Sequence, residues 1–160
     1  MEGVFPCISW SCTPCGRGHR DASSGVDVPI YTCTTAQGTL RADAKGELAT
    51  EITRVHAEIN HVPPAYVNVV FSELLQDSVY VGGEPGAPLL IGGWARRGHP
   101  QEETTRLALE LSAAASRITG IPERRILVVI QDSPARSAVE GGQVLPDPGQ
   151  EKEWLSRQEA

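Results

Sequence analysis

The chain has 160 residues, with 14 Lys and Arg against 20 Asp and Glu, a formal charge of −6, and a composition that is 40% hydrophobic but only 5% aromatic. One domain of ordinary size fits that length, and an acidic chain with no basic cluster lacks the electrostatic footprint of a nucleic-acid or anionic-lipid binder. No apolar run approaches the roughly 18–20 residues that a membrane span requires. Residues 1–28 follow neither the helical nor the strand period and are rich in Gly, Ser, Pro and Cys, which predicts a poorly ordered arm. Cys7, Cys12, Cys15 and His19 lie in this arm and are chemically suited to zinc. Their spacing matches no common finger and no apolar residues surround them, so no metal site is expected. Cysteines crowded at one end do not describe a disulfide-stapled secreted domain, and no signal-peptide pattern opens the chain. The expected compartment is the cytoplasm.

From Pro29 the text becomes regular. Ile30 to Thr35 predicts a short strand. Ala44, Leu48, Ile52, Val55 and Ile59 then recur at spacings of 4, 4, 3 and 4, the stripe of an amphipathic helix that Pro63-Pro64 ends. Residues 65–71 (AYVNVVF) predict a strand that is apolar on both parities, hence covered on both faces. After a turn-rich stretch containing Val79 to Val81, Leu89 to Ala95 predicts a strand closed by Gly98. Pro100 with Glu102 and Glu103 opens a second helix, carried by Leu107, Leu111, Ala114, Ala115 and Ile118 and stopped by Gly120. Residues 126–130 (ILVVI) predict another buried strand.

The two halves superpose without a gap at an offset of 59: Pro29 onto Pro88, Leu48 onto Leu107, Glu51 onto Glu110, Ile59 onto Ile118 and Pro63 onto Pro122. The expected fold is therefore α+β, a two-layer α/β sandwich. A duplicated β-α-β unit (repeats near 29–75 and 88–134) forms a four-stranded sheet with two helices on one face and short hairpins. The expected domain is 29–155, with residues 156–160 as a tail that Trp154 and Leu155 pack onto the body. The sheet face away from the helices needs a cover, and a second copy of the chain is the simplest one.

On these residues the chain resembles the tautomerase superfamily, within it the cis-3-chloroacrylic acid dehalogenase-like group. The text that carries the resemblance is PIYTC at 29–33, EITRVHAEINHVP at 51–63, VNVVFSE at 67–73, RRG at 96–98, GIP at 120–122 and VEGG…LPDPGQEKEW at 139–154. It implies a cofactor-independent isomerase acting on small unsaturated or keto carboxylates, assembled as a homotrimer. An amino-terminal proline serves as base in that chemistry, because a secondary amine in an apolar pocket can act as one at neutral pH. By position that proline is Pro29. The family histidine falls on His56, its first carboxylate-binding arginine on Arg96, which His56 and His99 are expected to help in holding the substrate carboxylate, and its acid or water-activating glutamate on Glu140. Of the adjacent pair, Arg97 is expected to be only a solvated surface charge. Two positions depart: His99 stands where the family has a second arginine, and Val129 where it has a tyrosine that assists water addition. A histidine lacks the permanent charge and fork of a guanidinium, and valine cannot donate a hydrogen bond. Proton transfer between enol and keto forms is therefore expected over hydration. The alternatives are hydratase, decarboxylase or dehalogenase chemistry on acrylic or acetylenic acids, and a non-catalytic fold relative. As written, Pro29 is internal, and an amide nitrogen is no base. The abrupt start of family text there leads to the expectation that residues 1–28 are removed or never made.

Overall fold

Three helices and eight strands are built from residues 28–147 and 150–158, which the computed structural model describes. The predicted elements appear in order. Strand β1 is Ile30–Ala36, helix α1 Ala42–Asn60, β2 Asn68–Leu74, β3 Tyr80–Val81 and β4 Glu84–Pro85. The second half supplies β5 Leu89–Arg96, α2 Gln101–Thr119, β6 Ile126–Ser133, β7 Val139–Glu140, β8 Gln143–Val144 and α3 Glu151–Gln158. The main sheet runs β2-β1-β5-β6. Each repeat contributes one parallel pair, and β1 and β5 join the repeats antiparallel at the centre.

The duplication is longer than the sequence repeats showed. Helices α1 and α2 start and end 59 residues apart (Ala42 to Gln101, Asn60 to Thr119), and so do the hairpins β3–β4 and β7–β8 (Tyr80 to Val139, Pro85 to Val144). Even the closing bonds correspond, Gly86 N–H to the Val79 carbonyl and Leu145 N–H to the Ala138 carbonyl, both 3.0 Å.

Both helices follow their stripes. Leu48, Ile52, Val55 and Ile59 of α1 and Leu107, Leu111 and Ala115 of α2 pack with Tyr31, Cys33, Leu89 and Ile91 of the central strands. Acidic side chains occupy the first turn of each helix, Asp43 in α1 and Glu102 and Glu103 in α2, where they complement the helix dipole. Gly120 ends α2 in the left-handed conformation at φ 71°, with its N–H on the Ser116 carbonyl. Between the helices, Glu51 accepts from both Arg54 and Arg117.

Within one chain only the helix-side face of the sheet is covered. On the other, Ile30, Val70, Leu90, Leu127 and Val129 are exposed, Leu127 by 56%. The expectation of cover on both faces is thus not met within the described residues, which contain no second helical layer. At one corner of that open face, Trp154 of α3 is buried among Tyr66, Ala135 and Leu145, and its indole N–H donates to the Val144 carbonyl at 2.8 Å. Helix α3 runs through residue 155, where the domain boundary was expected, to Gln158. The Leu155 side chain and Cys7, Cys12, Cys15 and His19 lie outside the described residues. Among the described residues no helix is long and apolar enough to cross a membrane.

Candidate active site

The antiparallel joining of the repeats brings five element ends to one end of the sheet: the start of β1, the ends of α1, β5 and β6, and the start of α2. Ile30 pairs with Trp94, so one further step of the same register sets Pro29 opposite Ala95, next to Arg96. Pro29 is buried, and its carbonyl accepts from Asn68 N–H at 2.9 Å. Val28 precedes it and packs on the Trp154 corner together with Trp94 and Ala138.

Arg96 and Arg97 have opposite surroundings. Arg96 is 6% exposed, and its Nη1 donates to the Pro146 carbonyl at 2.9 Å. Arg97 reaches into solvent, pairing through Nε with Asp132 at 2.9 Å. Beside Arg96 a cleft of about 120 Å³ opens between the end of α1, the start of α2 and the sheet. Asn60, Arg96, His99, Gln101, Thr104 and Asp132 form its polar wall, and Ala95, Leu107 and Ile130 its apolar part. His99 stands in the loop before α2 with Nδ1 4.0 Å from a Glu103 oxygen. The cap position of that helix is Pro100, and no side chain makes a cap bond there.

His56 is fully buried behind the cleft wall and is not among the lining residues. Both ring nitrogens face protein groups, Nδ1 towards Tyr31 Oη at 2.7 Å and Nε2 towards Asn60 Nδ2 at 3.2 Å. The Asn60 amide donates to Nε2, which leaves Nδ1 to donate to the tyrosine oxygen. Tyr31 can lie there because its pairing partner across the strands is Gly93. A methyl group at Gly93 would stand 2.6 Å from the Tyr31 ring and 2.8 Å from Ile130. Glycine at this position thus seats the tyrosine that holds the histidine.

Glu140 lies on β7, outside the residues that line the cleft, and its Oε2 is buried with no hydrogen-bond partner. A buried carboxylate oxygen left unpaired is costly and marks a place where a donor is missing. The chain leaving this hairpin returns to the site: Leu145 packs on Trp154, and Pro146 accepts from Arg96. Val129 points to the open sheet face, 44% exposed, and does not line the cleft. The Cys33 thiol is pushed up to about 12 by burial and stays protonated, so it is not a nucleophile. Among the described residues no group of three or more His, Cys, Asp or Glu could hold a metal ion.

Of the residues singled out in the sequence, the structure thus gathers Arg96 and His99 in one cleft and sets Pro29 beside that strand end. His56 sits one hydrogen bond behind the wall, and Glu140 on a hairpin whose exit is tied to Arg96. Asn60 was not singled out. Its one signal is a spacing of four residues from His56, which on a helix makes the two side chains neighbours.

The pseudo-symmetry of the duplication sharpens this. Shifted by the 59-residue offset, Pro29 corresponds to Pro88, His56 to Ala115, Asn60 to Thr119, Arg96 to Gln37, His99 to Leu40 and Glu140 to Val81. The opposite end of the sheet repeats the backbone without the ionisable side chains.

A duplicated β-α-β chain with a strand-leading proline at one end of a mixed sheet is the fused, two-repeat form of the tautomerase fold. A family model, Tautomerase_3, described as "Putative oxalocrotonate tautomerase enzyme", matches residues 28–159, and the chain belongs to this family. No curated protein sequence matches it. Among solved structures, native Ps01740 is 32% identical with a TM-score of 0.68, over 69% of this chain and 99% of that one. N1, a member of the cis-3-chloroacrylic acid dehalogenase family, has a TM-score of 0.73 at 22% identity, over 79% of this chain and 90% of its own. A fused 4-OT, F6, solved as an asymmetric trimer, has a TM-score of 0.68 at 21% identity, over 72% of this chain and 94% of its own. At those last two identities the likeness is one of fold.

Proposed function

We propose that this chain is a cofactor-independent tautomerase that moves a proton between the enol and keto forms of a small unsaturated carboxylate. The observation that carries the reading is the one-sided chemistry of a two-sided fold: among the described residues, the buried arginine, the histidines and Glu140, whose Oε2 has no hydrogen-bond partner, occur only at the end of the sheet where Pro29 begins β1.

With Pro29 as the first residue, its nitrogen is a secondary amine with a lone pair. Arg96 and His99 hold the substrate carboxylate. The amine takes the proton from the enol hydroxyl, and the electron pair left on oxygen forms the carbonyl. The displaced π pair takes a proton at carbon from the prolinium, which restores the amine, or from a protonated Glu140, which the prolinium then reprotonates through solvent; Glu140 serves the far end as acid or water-positioning group. No atom is gained or lost, so the reaction needs no co-reactant. With valine at position 129 and histidine at 99, the site has fewer donors for adding water across a double bond, which favours isomerisation over hydration.

The exposed apolar face is the surface on which copies of the chain assemble, and the fused 4-OT trimer supports a homotrimer. A second reading rests on Val28. That residue packs with Trp94 and Ala138 at the corner beside Pro29, as in a chain where the preceding residues are retained and the domain binds carboxylates without turning them over. Ketonisation of phenylenolpyruvate, followed by ultraviolet absorbance with the chain starting at Pro29, separates the two. Turnover supports the enzyme, and binding without turnover supports the module.

A further inference from the structure

We infer that Trp154 is a positioning residue of the site: from helix α3 it clasps the β7–β8 hairpin and thereby sets the aim of Arg96. The inference rests on the proposed function for what Arg96 binds, and on the packing alone for what Trp154 holds.

Three consecutive residues lead from the tryptophan to the arginine. The buried indole donates its N–H to the Val144 carbonyl at 2.8 Å, its ring packs with Leu145, and the Pro146 carbonyl accepts from Arg96 Nη1 at 2.9 Å. Ala138, which closes the hairpin by accepting from Leu145 N–H, packs against the same cluster. So do Trp94, on the strand that carries Arg96, and Val28, the residue before Pro29. Strands of two residues are too short to hold a hairpin in place by themselves, so its position depends on this packing.

The duplication shows that the clasp is an addition to the repeat. Shifted by 59 residues, α3 falls on 92–99, the end of β5 and the loop after it, so the first repeat has strand where the second has this helix. In the first repeat the carbonyl equivalent to that of Pro146 belongs to Ala87, and Arg125, just before β6, donates to it at 2.8 Å. The position equivalent to Arg125 is Tyr66, which packs with Trp154 instead. One hairpin exit is thus closed by an arginine from a neighbouring turn. The other is closed by a tryptophan from an added helix, and its exit carbonyl receives the buried arginine of the site.

Hydrogen exchange, arginine labelling and calorimetry on the full 160-residue chain test this without any turnover. The Leu145 and Gly86 amides make the same 3.0 Å bond in the two hairpins, only the first of them beneath Trp154, so Gly86 is a control within the chain. Trp154→Leu leaves a void and unpairs the Val144 carbonyl; it should speed exchange at Leu145 by about tenfold and leave Gly86 within about twofold. Labelling of Arg96 by phenylglyoxal, located by mass spectrometry, should quicken by about tenfold. Calorimetric affinity for butanoate should fall by about tenfold at a temperature where the variant is fully folded. Trp154→Phe keeps a ring and loses the N–H donor; it should change each readout by about threefold, and it decides the matter if Trp154→Leu does not fold. Exchange that rises equally at both amides overturns the inference, as does Arg96 labelling that stays at its wild-type rate. Butanoate affinity that is unchanged while Arg96 labelling has risen also overturns it. A wild type that binds no butanoate, with the exchange and labelling changes in place, refutes the carboxylate site of the proposed function alone.

Discussion

Replacing Arg96 by alanine should damage both catalysis and stability, whereas the same change at Arg97 should damage neither. On the substrate side, Arg96→Ala removes a charge-assisted hydrogen bond worth about 1.5–3 kcal/mol. At about 1.36 kcal/mol per factor of ten, kcat/KM falls by about ten- to a hundred-and-fiftyfold, mostly through KM. On the folding side, the guanidinium is buried and donates to the Pro146 carbonyl at 2.9 Å, so its loss strands an acceptor and opens a void, a further cost of about 1–3 kcal/mol. Arg96→Lys keeps the charge but not the fork and should fall between. The Arg97–Asp132 pair is solvent-exposed, and such pairs contribute about 0–1 kcal/mol. Initial rates of enol ketonisation on the chain starting at Pro29, with thermal melts of each variant, read both effects. A reversed pattern, with Arg97→Ala the damaging change, would show that the strand end is read one residue out of place. Equal small effects at both positions would remove the arginine from the site.

Gly93→Ala should cost about 1–3 kcal/mol, since its methyl meets the Tyr31 ring at 2.6 Å and that ring is what holds His56; an unchanged melting temperature would contradict the seating argument. Glu51 gives a pH signature. Hydrogen bonding from Arg54, and then the charges of Arg54 and Arg117, hold its carboxyl below the ordinary range near 4.5, so its stabilisation is complete above that value and lost as pH falls through the lowered one. Wild type should therefore melt above Glu51→Gln at neutral pH, with the gap closing as the solution is acidified below the ordinary carboxylate range; a gap that stays constant on strong acidification would refute the pairing. Val129→Lys puts an unpaired charge on the open sheet face and should dissociate the proposed trimer in light scattering, whereas an intact trimer would move the interface elsewhere.

Much of the fold was legible because its two helices carry long periodic stripes. Leu48-Ile52-Val55-Ile59 and Leu107-Leu111-Ala115 each cover several turns, so both helices could be placed, and their common offset exposed the duplication. Short hairpins were expected, but where their strands begin and end was not legible. Strands of two residues have no period to detect, although Gly82-Gly83 and Gly141-Gly142 sit at the same offset and take positive φ in both copies. Arg96 and Arg97 look alike in the sequence, and only the return of the chain at Pro146 makes one of them a buried group. Asn60 was invisible for a related reason. An asparagine at a helix end reads as a terminator, and its significance lies in the histidine one turn earlier and in the cleft that two other elements complete. Local pattern recovers elements, whereas a side chain's surroundings depend on contacts distant in sequence.

The proposed chemistry depends most directly on the nitrogen of Pro29. Two forms of the protein, one beginning at Met1 and one at Pro29, are verified by intact mass and compared for kcat/KM on phenylenolpyruvate. General-base catalysis contributes about a hundred- to ten-thousandfold, so the form with a free Pro29 amine should be faster by a factor in that range. Equal rates in the two forms, with Pro29 blocked as an amide in one of them, would contradict the amino-terminal proline mechanism outright.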